Sequence, residues 1–213
     1  NYDIEKFIEA AEIFTKRGYY VFRMGAKVEK KFKISNKKII DYANLAERSD
    51  FLDVYLGAHC NFCVTTSCGF DAIPFIFRVP IAYITVPIQN FFTFSNKFLI
   101  MSKHHFSKKL KRNLKFSEII LNKIGKCDTK KKFDLCEISL EENSSSEIKD
   151  FVVEMIDRYE NKWKEDENDR IMQKEFWKNY EHFLSQENLE YLHGKLKAKF
   201  SINFLKKNSE WLT

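Results

Sequence analysis

Glycine and proline are scarce in this 213-residue chain, at 6 and 3. All-β sandwiches need many tight turns, so that scarcity argues against one. No run of about 18 apolar residues occurs, which excludes a transmembrane helix. The common nucleotide and hydrolase signatures are missing too. No G-x-G-x-x-G follows any expected strand, there is no G-x-x-x-x-G-K-[ST] loop, and no G-x-S-x-G elbow. No Asp-x-Asp pair is present to hold a metal-diphosphate; Glu167-Asn168-Asp169 comes nearest, in a solvated acidic stretch. The five cysteines (Cys60, Cys63, Cys68, Cys127, Cys136) form an odd set in a chain without a signal peptide. Reduced thiols in the cytoplasm are the simplest reading. Cys60-Asn61-Phe62-Cys63 beside His59 has the spacing of half a zinc site, but a second ligand pair is missing, so no metal is expected.

What is present points to a folded globular protein. Hydrophobic residues make up 44% and charged residues 31%, enough for a core with a polar surface. The net charge is +6 and uneven: Lys103 to Lys115 holds six basic residues and no acidic one. Such a field attracts phosphates, acidic sugars or anionic lipid headgroups. The segment reads as a solvated loop containing His104 and His105, with peripheral contact to the inner membrane as its candidate role. No nucleic-acid motif accompanies it and no aromatics are interleaved, so nucleic acid is not an expected partner.

Apolar residues at 4, 7, 8, 11 and 14 have helical period, and Gly18 stops that helix. Tyr19 to Met24 reads as a strand closed by Gly25, and Lys38 to Tyr42 as a short second one. Ser49 is the expected N-cap of a helix from Asp50 to His59. Asn61 to Thr65 reads as a buried strand, Phe70 to Phe77 as a helix, Ile81 to Val86 as a strand and Phe98 to Met101 as another. Ser117 is the expected cap of a helix to Ile124, and Asp134 to Leu140 a last strand. Ser144 with Glu147 has capping-box spacing ahead of a long helix, followed by helices over 173–184 and 191–205. The alternation predicts an α/β fold: a Rossmann-like parallel sheet with helices on both faces over 1–145, and a C-terminal helical extension over 146–213. Because the sequence enters a helix within a few residues of Asn1, a further domain is expected before it.

Ligands of open parallel sheets bind at the carboxyl ends of strands. Two such ends carry suitable chemistry. Arg23 would stand at the mouth of one strand, with Gly25 letting the chain turn close to a ligand. Thr65-Thr66-Ser67-Cys68-Gly69 precedes a helix, where outward amides and three hydroxyls suit a phosphate or diphosphate.

Arg23-Met24-Gly25, Asp41-Tyr42-Ala43, Arg48 to Val54, and Thr65 to Gly69 with Pro74 and Pro80 together resemble a family of bacterial glycosyltransferases found with surface-polysaccharide genes. Ile202 to Asn208 with Trp211-Leu212 resembles that family's closing segment. The likeness spans nearly the whole chain, loosely over 90–135. Residues 53–77 more distantly resemble the donor-binding half of α1,6-fucosyltransferase-type enzymes. The resemblance implies the C-terminal, donor-binding half of a GT-B enzyme. Such a half holds a nucleotide-sugar and passes the sugar to a glycan or polysaccharide acceptor without metal or other cofactor. Carried over by residue, Arg23, Thr66, Ser67 and Gly69 would contact the donor diphosphate, and Asp41, Arg48 and Asp50 would support the site. The family commonly has Ser-Gly where this chain has Ser67-Cys68-Gly69, so a turn one residue longer or a shifted one is expected.

Overall fold

The apolar stripe near the amino terminus forms a helix, α1 (Ile8–Lys16), entered through a 3-10 turn at Ile4–Phe7 that Asp3 caps. Gly18, at φ 94°, ends it and turns the chain into β1 (Val21–Phe22). This computed structural model describes residues 2–32, 34–85, 87–190 and 194–212. The elements that follow are β2 (Ile39–Ile40), α2 (Asp50–His59), β3 (Cys63–Thr65), α3 (Ala72–Ile76), β4 (Ile81–Thr85) and β5 (Phe98–Ser102). Then come β6 (His104–Ser107), β7 (Arg112–Asn113), α4 (Phe116–Leu121), α5 (Lys130–Leu135), β8 (Ile138–Glu141), α6 (Ser145–Tyr159) and α7 (Glu167–Gln186). The chain closes with β9 (Lys199–Phe200), α8 (Ile202–Lys207) and α9 (Ser209–Leu212).

The result is a mixed α/β fold with a four-stranded parallel sheet, ordered β3-β4-β5-β9, flanked by helices and compatible with a Rossmann-like arrangement. By contacts the chain forms two compact units, Asn1–Ala82 with Ser144–Lys162 and Tyr83–Asn143 with Trp163–Thr213.

In the first unit β1 and β2 pair in parallel as a separate two-stranded sheet, with Val21 opposite Ile39. Ala11, Phe32 and Ile39 form a small core there, joined by Ile8 and Val21. α6 packs on α1 through its buried face of Phe151, Val152, Met155 and Ile156. Its capping box is complete: the Ser144 hydroxyl accepts from the Glu147 amide, and Glu147 accepts from the Ser144 amide at 2.9 Å. The rings of Phe14, Tyr19 and Tyr159 surround Phe62 at 5.1 to 5.5 Å. The α6 end is held by Arg17, which bonds Asp157 and Glu160.

The second unit departs from the expected layout in three places. The basic segment is not a loop: β6 and β7 form a hairpin, and β8 pairs antiparallel on the other side of β6. The expected strand over 134–140 is α5 followed by β8, separated by Glu137 at φ 56°. The C-terminal region is not purely helical, because β9 pairs in parallel with β5 and closes one edge of the sheet. The expected helix over 191–205 therefore gives way to β9 and α8, its first three positions lying outside the described residues. The edge strand is protected by a side chain. Gln173 on α7 accepts from the Phe200 amide at 3.2 Å and donates to the Phe200 carbonyl, while Trp177 donates to the same Gln173 oxygen. This satisfies the edge as a further strand would. Around it Phe116, Phe176, Tyr180, Phe200 and Trp211 stack into an aromatic core, with Phe176 and Phe200 centroids 3.9 Å apart.

Candidate ligand-binding site

The two strand ends expected to converge on one sheet lie on two. Arg23 follows β1 in the two-stranded sheet, whereas Thr65 ends β3 in the four-stranded one. Each end is built locally, and each already engages part of its polar chemistry.

At the first end, Arg23 Nη1 donates to Asp41 Oδ1 at 2.9 Å and to the Lys30 carbonyl at 3.0 Å. The Arg23 side chain is 12% exposed, and no partner engages its Nε or Nη2 among the described residues. Asp41 is the hub of this corner, accepting also from the Phe32 amide at 2.8 Å and Asn44 Nδ2 at 2.7 Å. Burial acts to raise the Asp41 pKa, but the bonds from Phe32, Arg23 and Asn44 outweigh it and hold the carboxyl below its ordinary value. Gly25 sits at φ 150°, and a Cβ there would come within 2.9 Å of Val28 Cγ1. Glycine is thus required for the chain to turn back over β1.

At the second end, Thr65 is buried and its hydroxyl accepts from the Ser67 amide at 3.1 Å. Ser67, at φ 61°, and Gly69, at φ 86°, both occupy the left-handed region. The Gly69 amide donates to Asp71 Oδ1 at 2.9 Å, which sequence reasoning did not foresee. Thr66 is half-buried, and Ser67, Cys68 and Gly69 are exposed. The amides of Cys68 and Phe70 bond nothing among the described residues. The helix expected at Phe70 begins at Ala72 and runs only to Ile76. A helix that short contributes little dipole, so any anion selectivity must come from the turn's own amides.

Arg48 and Asp50 stand at the start of α2. Arg48 pairs with Asp53 at 2.6 Å, an internal brace, while Asp50 is exposed in the first helical turn. Ser49 caps the helix as expected, its hydroxyl accepting from the Leu52 amide. On the outer face of α2, Phe51, Tyr55 and His59 stack at successive turns.

His104 and His105 lie on β6 rather than in a solvated loop. His105 is 1% exposed, its Nδ1 3.2 Å from the Lys103 carbonyl and its Nε2 without a partner. Burial pushes its pKa down to about 4. Burial also pushes the Cys63 thiol up, which disfavours the thiolate. No cluster of three or more His, Cys, Asp or Glu side chains suited to a metal ion occurs among the described residues. No described helix is long and apolar enough to cross a membrane. No protein-family model, curated protein or solved structure matches the chain.

Proposed function

We propose that the chain is the donor-binding half of a GT-B glycosyltransferase, holding the diphosphate of a nucleotide-sugar at the turn after β3. The observation that carries the reading is that turn: exposed Ser67 and Gly69 at positive φ, with the Cys68 and Phe70 amides unengaged. A string of such amides at a strand end is a concave donor set for phosphate oxygens. Hydroxyls of Thr66 and Ser67 add to it. The likeness of residues 23–80 and 202–212 to bacterial surface-polysaccharide glycosyltransferases supports the same assignment. The Nε and Nη2 of Arg23 engage no partner among the described residues, beyond the Nη1 bonds to Asp41 and Lys30.

The chemistry follows from charge. As an acceptor hydroxyl attacks the anomeric carbon, negative charge grows on the departing diphosphate. Fixed amides stabilise that charge without reorganising, which is how they lower the barrier. The acceptor, a glycan or polysaccharide, and the base that takes its proton belong to the other half of such an enzyme.

A second reading, a non-catalytic binding protein with the same fold, is favoured by the Arg23–Asp41 and Arg48–Asp53 pairs, in which each arginine braces its own loop. Isothermal titration with a panel of nucleoside diphosphates separates the outcomes. The donor-half reading expects saturable binding of one member; absence of heat with every member refutes it. Sugar transfer by the full-length protein then distinguishes the two: the donor-half reading expects transfer that Arg23→Ala lowers, whereas nucleotide binding without transfer favours the non-catalytic reading.

A further inference from the structure

Residues 103–135 hold eleven basic and three acidic side chains, a net +8 in a chain whose total is +6. The rest of the chain is therefore slightly negative in sum, although residues 16–38 also hold nine basic side chains against one acidic. Within 103–135 the structure exposes three leucines: Leu110 at 50%, Leu121 at 75% and Leu135 at 76%. Each sits at the end of an element. Leu110 is at the tip of the β6–β7 hairpin, Leu121 ends α4 and Leu135 ends α5.

Ion pairs tie these ends to one another. Lys108, at the start of the hairpin turn, reaches Asp134 on α5 at 3.3 Å, next to Leu135. Arg112, at its end, grips Glu118 on α4 through both carboxylate oxygens at 2.6 and 2.8 Å, one turn before Leu121. The turn is stiffened by the Lys111 amide on the Ser107 carbonyl at 2.8 Å and the Leu110 amide on the Ser107 hydroxyl at 3.1 Å. Lys109 and Lys111, either side of Leu110, are exposed and form no ion pair among the described residues. A recess of about 470 Å³, lined by Lys108, Lys130, Phe133 and Asp134 among others, opens beside the hairpin.

We infer that this face docks on an anionic phospholipid bilayer. The hairpin tip and the two helix ends would insert their leucines between headgroups while Lys109, Lys111 and their neighbours meet lipid phosphates. Isolated exposed leucines are ordinary; three at element ends, joined by ion pairs inside a +8 field, combine the apolar and electrostatic contributions that interfacial binding needs. Charge alone fits any polyanion, but exposed leucines at a hairpin tip and two helix ends fit a surface with an apolar interior. This holds whatever nucleotide the β3 turn binds, so its test is independent of that reading.

The test is co-sedimentation of the full chain with vesicles of phosphatidylcholine alone and of phosphatidylcholine with 30% phosphatidylglycerol. Binding is expected to the anionic vesicles at low salt, weakening as salt rises. Lys109→Gln with Lys111→Gln should lower the partition coefficient by roughly 25-fold, about fivefold per lysine. Leu110→Ser with Leu121→Ser and Leu135→Ser should lower it on the order of tenfold or more, with circular dichroism unchanged because all three side chains are exposed. Equal binding to neutral vesicles, no binding to anionic ones at low salt, or a leucine variant that binds like the parent would each overturn the inference. So would self-association in vesicle-free sedimentation velocity that the leucine variant abolishes, which would make a second copy the occupant.

Discussion

Lowering the pH should destabilise this protein through one imidazole. His105 is neutral and buried, its Nδ1 facing the Lys103 carbonyl and its Nε2 facing no partner. Protonation would place a charge against the Phe133 ring, 5.9 Å away, where nothing compensates it. Burial, with a smaller contribution from neighbouring His104, moves its pKa from 6.5 to about 4. Above pH 6.5 the ring is neutral in both folded and unfolded chains and full stability is present. Between 6.5 and 4 the unfolded chain takes up the proton and the folded chain does not. Stability then falls by about 1.4 kcal/mol per pH unit, roughly 3 kcal/mol in all, and levels off below the folded value. Carboxylates also titrate toward the end of this window, so the measurement must be differential. His105→Asn keeps a donor for the Lys103 carbonyl and removes the titration. Urea unfolding of both proteins at half-unit steps from pH 7.5 to 4 should give curves that converge or cross, the parent losing about 3 kcal/mol more than the variant. Curves that stay parallel would refute the argument and show that His105 is not buried in neutral form.

Three further substitutions test the packing. Gln173→Ala removes the cap on the Phe200 amide and carbonyl and frees the Trp177 indole; urea unfolding should show a loss of about 2–4 kcal/mol. Gly57→Ala should destabilise despite a better helix propensity, because its Cβ would lie 2.8 Å from Ile73 Cγ2 and 3.1 Å from the Phe70 ring. A net loss of roughly 1–3 kcal/mol by thermal or urea unfolding is expected, and a gain would mean that α3 shifts freely. Ser144→Ala breaks the capping box of α6 and should cost about 1 kcal/mol in the same assay.

The elements readable from the sequence are those whose signal is local. Ser49, Ser144 and Gly18 announce helix ends through single side chains or a missing one, and the structure uses them so. The strands over 81–85 and 98–102 are apolar runs of ordinary length and form as expected. The β6–β7 hairpin was hidden because its turn has no Gly, Asn or Pro. Lys111 itself adopts φ 54°, and the Ser107 hydroxyl closes the turn. A run of lysines there looks like solvent-facing loop. β9 was hidden for a different reason: two residues carry no period, and what makes them a strand is remote, namely β5 on one side and Gln173 on the other. At the candidate site, the residue types at both strand ends were legible, but their pairing was not. Asp41 follows Arg23 by 18 positions, and only the parallel register of β1 and β2 brings them together. Asp71 falls within the helix expected from Phe70 but instead fixes the Gly69 amide.

Above all, the turn after β3 is proposed to receive phosphate oxygens through its main chain. The direct measurement is amide chemical-shift mapping during titration with nucleoside diphosphates. Saturable shifts are expected to concentrate at Ser67, Cys68, Gly69 and Phe70, with a smaller response at Arg23. Saturable shifts confined to the 103–135 face, or no shift at residues 66–70 with any nucleotide, would contradict this proposal.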